Sequence, residues 1–125
     1  MAFFDADEFL VLRDPGVASL PALLREYEAG HIGALVVNWN TFGSGGLEAR
    51  PRTNTLLAYT ACLPPNHPTN ALVKSIVRPA HTRETNGNPH SFLYHDGWYA
   101  VNTRRERIDY SEAAAGRLAL QCCTA

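Results

Sequence analysis

Apolar and polar positions along the chain alternate in blocks that predict a mixed α/β order of elements. Met1 to Phe4 is apolar and stops abruptly at acids, so it reads as the tail of a buried strand running into a polar site. That tail is shorter than the about 5–6 residues of an ordinary strand. Arg13-Asp14-Pro15-Gly16 is a turn signal. Ser19 then caps a predicted helix over 20–29, with Pro21 tolerated in the first turn and Leu20, Leu23, Leu24 and Tyr27 on one face. Gly30 is the expected stop. Ala34 to Trp39 is β-rich and predicts an inner strand, followed by a glycine loop from Thr41 to Gly46. Thr55 to Thr60 fits a strand or a short helix, and Pro64 to Pro68 excludes regular structure. Val73 to Val77 predicts a strand, and 83–90 a loop. Ser91 to Tyr94 and Trp98 to Val101 predict two short strands around the turn His95-Asp96-Gly97. Ser111 caps an expected last helix through about Leu120.

Composition narrows the function classes. The 125 residues are 46% hydrophobic, enough for a core. Eleven basic and twelve acidic residues give a net charge of −1, which offers no general attraction for nucleic acid or anionic lipid. Any nucleotide contact must come from a local site. No apolar run reaches the about 20 residues of a membrane helix, and the start lacks the basic flank of a signal peptide. Cys62, Cys122 and Cys123 have neither zinc-finger spacing nor a disulfide framework, although one pair of Cys62 with Cys122 or Cys123 is open.

The strongest chemical signal is Asp5-Ala6-Asp7-Glu8-Phe9. In extended backbone Asp5 and Asp7 would face one side, roughly 6.6 Å apart along the strand. Two carboxylates so placed can converge on Mg²⁺ or Mn²⁺, whose open positions accept phosphate oxygens. Glu8 would face the other way, to orient a neighbour or cap a backbone group. The plain alternative is a solvated acidic turn.

Further segments follow in a fixed order. They are Leu20-Pro21-Ala22-Leu23-Leu24, then Val37-Asn38-Trp39 with Phe42-Gly43-Ser44-Gly45-Gly46, then Val73-Lys74-Ser75-Ile76-Val77-Arg78-Pro79, and Pro89-His90-Ser91-Phe92. With the acidic motif in front, the set over about residues 1–103 resembles glycosyltransferase family 92 and its family 2-like relatives. The resemblance implies a GT-A-like α/β sandwich with a mixed, mostly parallel sheet. It implies inverting transfer of a sugar, often galactose from a UDP donor, to a glycan acceptor. Asp5 and Asp7 match the metal- and diphosphate-binding Asp-x-Asp, and His90 matches a histidine expected to complete the Mn²⁺ or Mg²⁺ site. Lys74 and Arg78 are candidates for the diphosphate, sharing a strand face. Trp39 and the loop Phe42, Gly43, Ser44, Gly45 and Gly46 are candidates for the acceptor side. Trp39 is also a candidate core residue. The family pattern Phe-Gly-Ser-Ser-Gly-His departs here at Gly45 and Leu47, so the histidine has no counterpart.

The general base is open, with Asp96 and Glu84 as loop carboxylates near the matching segments. His67, His81 and His95 lack any matching context. The resemblance also implies that strands holding base and ribose come before the Asp-x-Asp, and only four residues do here. The expectation is therefore a partial catalytic domain over 1–110, lacking its N-terminal nucleotide-binding strands, with 111–125 as a divergent C-terminal helix or tail. A full-length eukaryotic parent would be Golgi- or membrane-associated, and a bacterial one cytoplasmic. Two rival expectations are a non-catalytic remnant that serves as an interaction or glycan-binding module, and a metal-dependent phosphohydrolase.

Overall fold

The computed structural model describes residues 1–108, so the expected helix from Ser111, the tail 111–125 and Cys122 and Cys123 lie outside the described residues. The architecture is α/β: a mixed four-stranded sheet and a separate two-stranded ribbon. Helix α1 (Leu20–Arg25) begins as predicted, with Ser19 Oγ accepting from the Ala22 N–H. It ends a turn earlier than predicted. Glu26, Tyr27 and Glu28 each donate three residues back, a tightened 3-10 ending, and Tyr27 is drawn inward to donate its hydroxyl to the Thr103 carbonyl.

Strand β1 (Ile32–Asn38) is the centre of the sheet, in the order β2-β1-β5-β6. The helix option holds for 55–60, as α2 (Thr55–Ala58) capped by Asn54. The long excursion from Trp39 to Leu72 returns the chain beside β1 in the opposite sense, so β2 (Val73–Val77) pairs antiparallel with it. Strand β3 (Thr82–Thr85) and β4 (Phe92–Tyr94) form the ribbon. Strand β5 (Tyr99–Val101) is parallel to β1, and β6 (Arg107–Ile108) folds back antiparallel on β5.

The expectation of a mostly parallel sheet is therefore corrected: one pairing of the three in this sheet is parallel. Parallel neighbours need a crossover, and only the β1-to-β5 connection supplies one. The predicted loop at 83–90 is also corrected at its start. Thr82 and Thr85 are β-branched and find ladder partners in Tyr94 and Phe92.

Two apolar clusters cover the two faces of β1. Ala34 and Val36 pack with Val73, Val77, Phe92 and Ala100. Ile32 and Leu35 pack with Val101 and Tyr27, joined by Leu23 and Leu24 of α1. Ile32 and Leu35 share a face because the β1–β5 register shifts between Ile32 and Ala34. Gly33 sits at that irregularity, where a Cβ would come 2.7 Å from Cδ1 of Tyr94. The N-terminal segment lies along the outer edge of β2 rather than within the core. Ala2 bridges Ile76, while Phe3 and Phe4 stay 47% and 40% exposed, which corrects the expected buried strand tail. Among the described residues no helix is long and apolar enough to cross a membrane.

Candidate functional site

The acidic motif is a turn and not an extended strand. The Glu8 N–H donates to the Asp5 carbonyl at 3.0 Å, and the Asp5 N–H donates to Glu8 Oε2 at 2.9 Å. This closure puts Ala6 and Asp7 at the tip, where Asp7 is exposed. It also brings Asp5 and Glu8 onto one side, in place of Asp5 and Asp7. Glu8 caps a backbone group, as its position suggested.

What the two carboxylates meet is Lys74. Its ammonium lies 3.2 Å from Asp5 Oδ2 and 3.0 Å from Glu8 Oε2. The Lys74 side chain is 4% exposed, Glu8 18% and Asp5 74%. Burial pulls the Lys74 pKa down, but the hydrogen bonds and charges of Glu8 and Asp5 outweigh it, and the net direction is up. The ammonium also stands 5.9 Å from the centre of the Trp39 ring. Trp39 in turn meets His90 edge to face at 6.0 Å. Four separated segments thus meet here, with His90 joined to Lys74 through Trp39.

His90 is fixed from several sides. Its Nδ1 lies 2.9 Å from the Val73 carbonyl, which as a pure acceptor requires the proton on Nδ1 and leaves the lone pair on Nε2. That tautomer is the one a metal-ligating histidine adopts. Ser75 Oγ donates to the His90 carbonyl at 2.6 Å, and the His90 N–H donates to Asn88 Oδ1 at 2.9 Å. Ser75 is a positioning residue that lies in a matching segment but was assigned no role from sequence. A serine between Lys74 and Ile76 in the predicted strand Val73 to Val77 was the available signal.

The expected metal ligands are not assembled, however. Asp5 is paired with Lys74, Asp7 is at the exposed tip, and no group of three or more His, Cys, Asp or Glu comes together among the described residues. Asp5, Asp7 and His90 are thus not brought together as one ligand set among the described residues.

The other candidates lie apart from one another. Arg78 leaves the end of β2 for a second cluster, with its guanidinium 5.3 Å from the Trp98 ring and donating to the Glu28 carbonyl. Lys74 and Arg78 therefore have different partners. A groove of about 360 Å³ lies on the Arg78 side, lined by Leu24, Tyr27, Ile76, Arg78 and His81, and does not include Asp5, Lys74 or His90. The glycine loop is exposed from Phe42 onward. Its base pairs with 61–63 through Gly43 to Ala61 and Leu63 to Thr41, and the buried Asn70 side chain accepts from Thr41. Gly45 and Gly46 take φ of 60° and 89°, where glycine has no Cβ penalty. Glu84 pairs with Arg83 on exposed β3, and Asp96 is exposed in the 95–97 turn. Trp39 Nε1 and Thr41 Oγ1 are buried without a hydrogen-bond partner among the described residues. Such groups are uncommon and carry a cost.

His81 stacks flat on Trp98, with ring centroids 3.3 Å apart, while His31 meets the same indole at its edge. Desolvation against the indole, then the charges of Arg78 and His95, hold the His81 pKa below the ordinary 6.5. A lowered pKa means that the unfolded chain takes up more protons. The stacked histidine therefore contributes fully above 6.5, and its contribution is lost as pH falls through the lower folded value. The denaturation midpoint is expected to drop from about pH 7.5 to about pH 5, and His81→Gln to flatten that slope. An unchanged slope in the variant would remove His81 from the account.

No protein-family model, curated protein or solved structure matches the chain.

Proposed function

We propose that this chain carries a sugar-transfer site of the GT-A-like kind, moving a sugar, with galactose the first to test, from a UDP-sugar donor to a glycan acceptor. One observation supports this most. The motif segments that resemble the glycosyltransferase family are far apart in sequence, yet Asp5 and Glu8, Trp39, Lys74 and His90 meet in one cluster. A chance resemblance gives no reason for such convergence. The indole N–H of Trp39 and the hydroxyl of Thr41, without partners among the described residues, add polar groups that a bound ligand would satisfy.

In an inverting transfer the acceptor oxygen attacks the anomeric carbon, its proton passes to a carboxylate, and the nucleoside diphosphate departs. Asp96 and Glu84 are the proposed carboxylates, although both are exposed and neither is among the residues gathered at the Lys74 cluster. Mn²⁺ or Mg²⁺ enters as an added ion to be tested, and no step is routed through it. The test is incubation of the chain with UDP-sugars and an oligosaccharide panel, with and without Mn²⁺, reading UDP release and acceptor mass. Gain of one hexose on an acceptor is the expected result. Absence of transfer, donor hydrolysis and donor binding together would sink the proposal.

The engagement of both Asp5 and Glu8 by Lys74 favours a second reading, a glycan-binding module without catalysis. It predicts retention on a glycan panel with no UDP release.

A further inference from the structure

The acidic turn already has a cation, and it belongs to the protein. We propose that Lys74 is the resident counter-ion of the Asp5–Glu8 turn, standing where a divalent ion would otherwise sit, so that the ammonium and a divalent ion exclude each other there. This rests on the sugar-transfer reading only for the reason a divalent ion is expected at the motif.

The geometry carries the point. Both carboxylates reach the same ammonium, at 3.2 and 3.0 Å, and the turn is pinned by the Asp5 N–H on Glu8 Oε2. Lys74 projects from the edge strand β2, opposite Val37 of β1, with its side chain almost fully covered. An exposed lysine could swing away into water. This one cannot without leaving Asp5 and Glu8 or carrying its charge into the protein, where an unpaired ammonium is costly. A divalent ion arriving at the same oxygens would lie within a few ångströms of that ammonium. The like charges would repel, and the ion would lose the two-carboxylate field that hard cations need. Trp39 closes one side of the ammonium, and the indole offers no oxygen to a hard ion. Asp7 points from the exposed tip of the same turn, outside the paired set.

Removing the ammonium while keeping its length should reverse the preference. In Lys74→Met the two carboxylates face each other without a counter-charge. Mn²⁺ should then bind at least about tenfold more tightly than to the wild-type chain, because affinity at such sites follows ligand charge. Titration of Mn²⁺ alone, read by the loss of the free-ion electron paramagnetic resonance signal, measures this. Adding Asp5→Asn and Glu8→Gln to Lys74→Met should abolish the gain. Lys74→Arg, which keeps the charge, should stay at the wild-type level. A gain absent in Lys74→Met, or wild-type Mn²⁺ binding that Lys74→Met weakens, would overturn the proposal.

Should Lys74→Met fail to fold, the wild-type chain still decides. The ¹⁵N–¹H signal of the Lys74 ammonium should be protected from water and unmoved by Mg²⁺ up to about 10 mM. Displacement of that signal by Mg²⁺ would refute mutual exclusion. Failure of donor binding, measured separately with UDP-sugar, would remove the sugar-transfer reading and leave these ion results standing.

Discussion

Phe92→Ala should lose about 3–5 kcal/mol of unfolding free energy, read as a lower urea midpoint at unchanged slope. Phe92 is 2% exposed and fills the space among Ala34, Val36, Val73, Val77 and Ala100. Phe3 stacks over its outer side at 6.3 Å. The surrounding residues are small and sit on hydrogen-bonded strands, so they cannot close over the void. The transfer term and the cavity term therefore both apply. Against a typical total of about 5–15 kcal/mol the loss is severe. The effect should extend to the site as well. Phe92 anchors the ribbon just after His90, whose carbonyl and ring are tied to β2 through Ser75 and Val73. Loosening Phe92 should broaden the His90 ring signals at temperatures where the variant is still folded. A loss below about 1 kcal/mol would mean that this face of β1 is not the core described.

Glu8→Ala and Asp5→Ala should differ, although the sequence motif ranks Asp5 first. Glu8→Ala is expected to cost about 2–3 kcal/mol, toward the lower end of breaking a buried pair, because Asp5 still faces the ammonium. Asp5→Ala should cost less than about 1 kcal/mol, since Asp5 is well solvated and its carboxylate works in water. The order follows from burial: Glu8 is 18% exposed, and Asp5 74%. Glu8 also holds the Asp5 N–H, so its removal costs that hydrogen bond as well. Both costs should persist across neutral pH. The Lys74 pKa is raised, so the contribution of the Lys74 proton is complete below the ordinary 10.5 and is lost as pH rises through the higher folded value. Denaturant titration of both variants reads the comparison. Equal losses, or a larger loss for Asp5→Ala, would show that Lys74 does not depend chiefly on Glu8.

Much of the chain order was legible in sequence because local signals and tertiary packing agree. Ser19 before Leu20-Pro21 marks the start of α1, and Val73 to Val77 is β2 at the predicted bounds. The errors arise where distant pairing overrides local pattern. Arg83 to Thr85 looked like loop until Phe92 to Tyr94 supplied a ladder. Met1 to Phe4 looked buried because it is apolar, but an edge position next to β2 leaves Phe3 and Phe4 partly in water. Strand direction was beyond reach, since nothing local to Val73 states which way it meets Val37. At the site, Lys74 stood out as a basic strand residue and His90 only through the resemblance, and the pairing of Lys74 with Asp5 and Glu8 was not foreseen. The extended geometry assumed for Asp5 and Asp7 was not, because the turn depends on Glu8 folding back to the Asp5 N–H and on Lys74 receiving both acids. Ser75 and Asn70 had no role readable from sequence, because each meets backbone partners brought near by the fold.

The most direct test of a ligand site at the Lys74 cluster uses the two tryptophans as internal probe and control. Trp39 lies beside Lys74 and His90, with its indole N–H buried and unpartnered among the described residues. Trp98 lies in the separate His81 and Arg78 cluster. Titrating UDP-galactose and following the two indole ¹⁵N–¹H signals should move Trp39 Nε1–H in a saturable way and leave Trp98 in place. Movement of Trp98 alone, or of neither signal up to saturating donor, would contradict a donor site at this cluster.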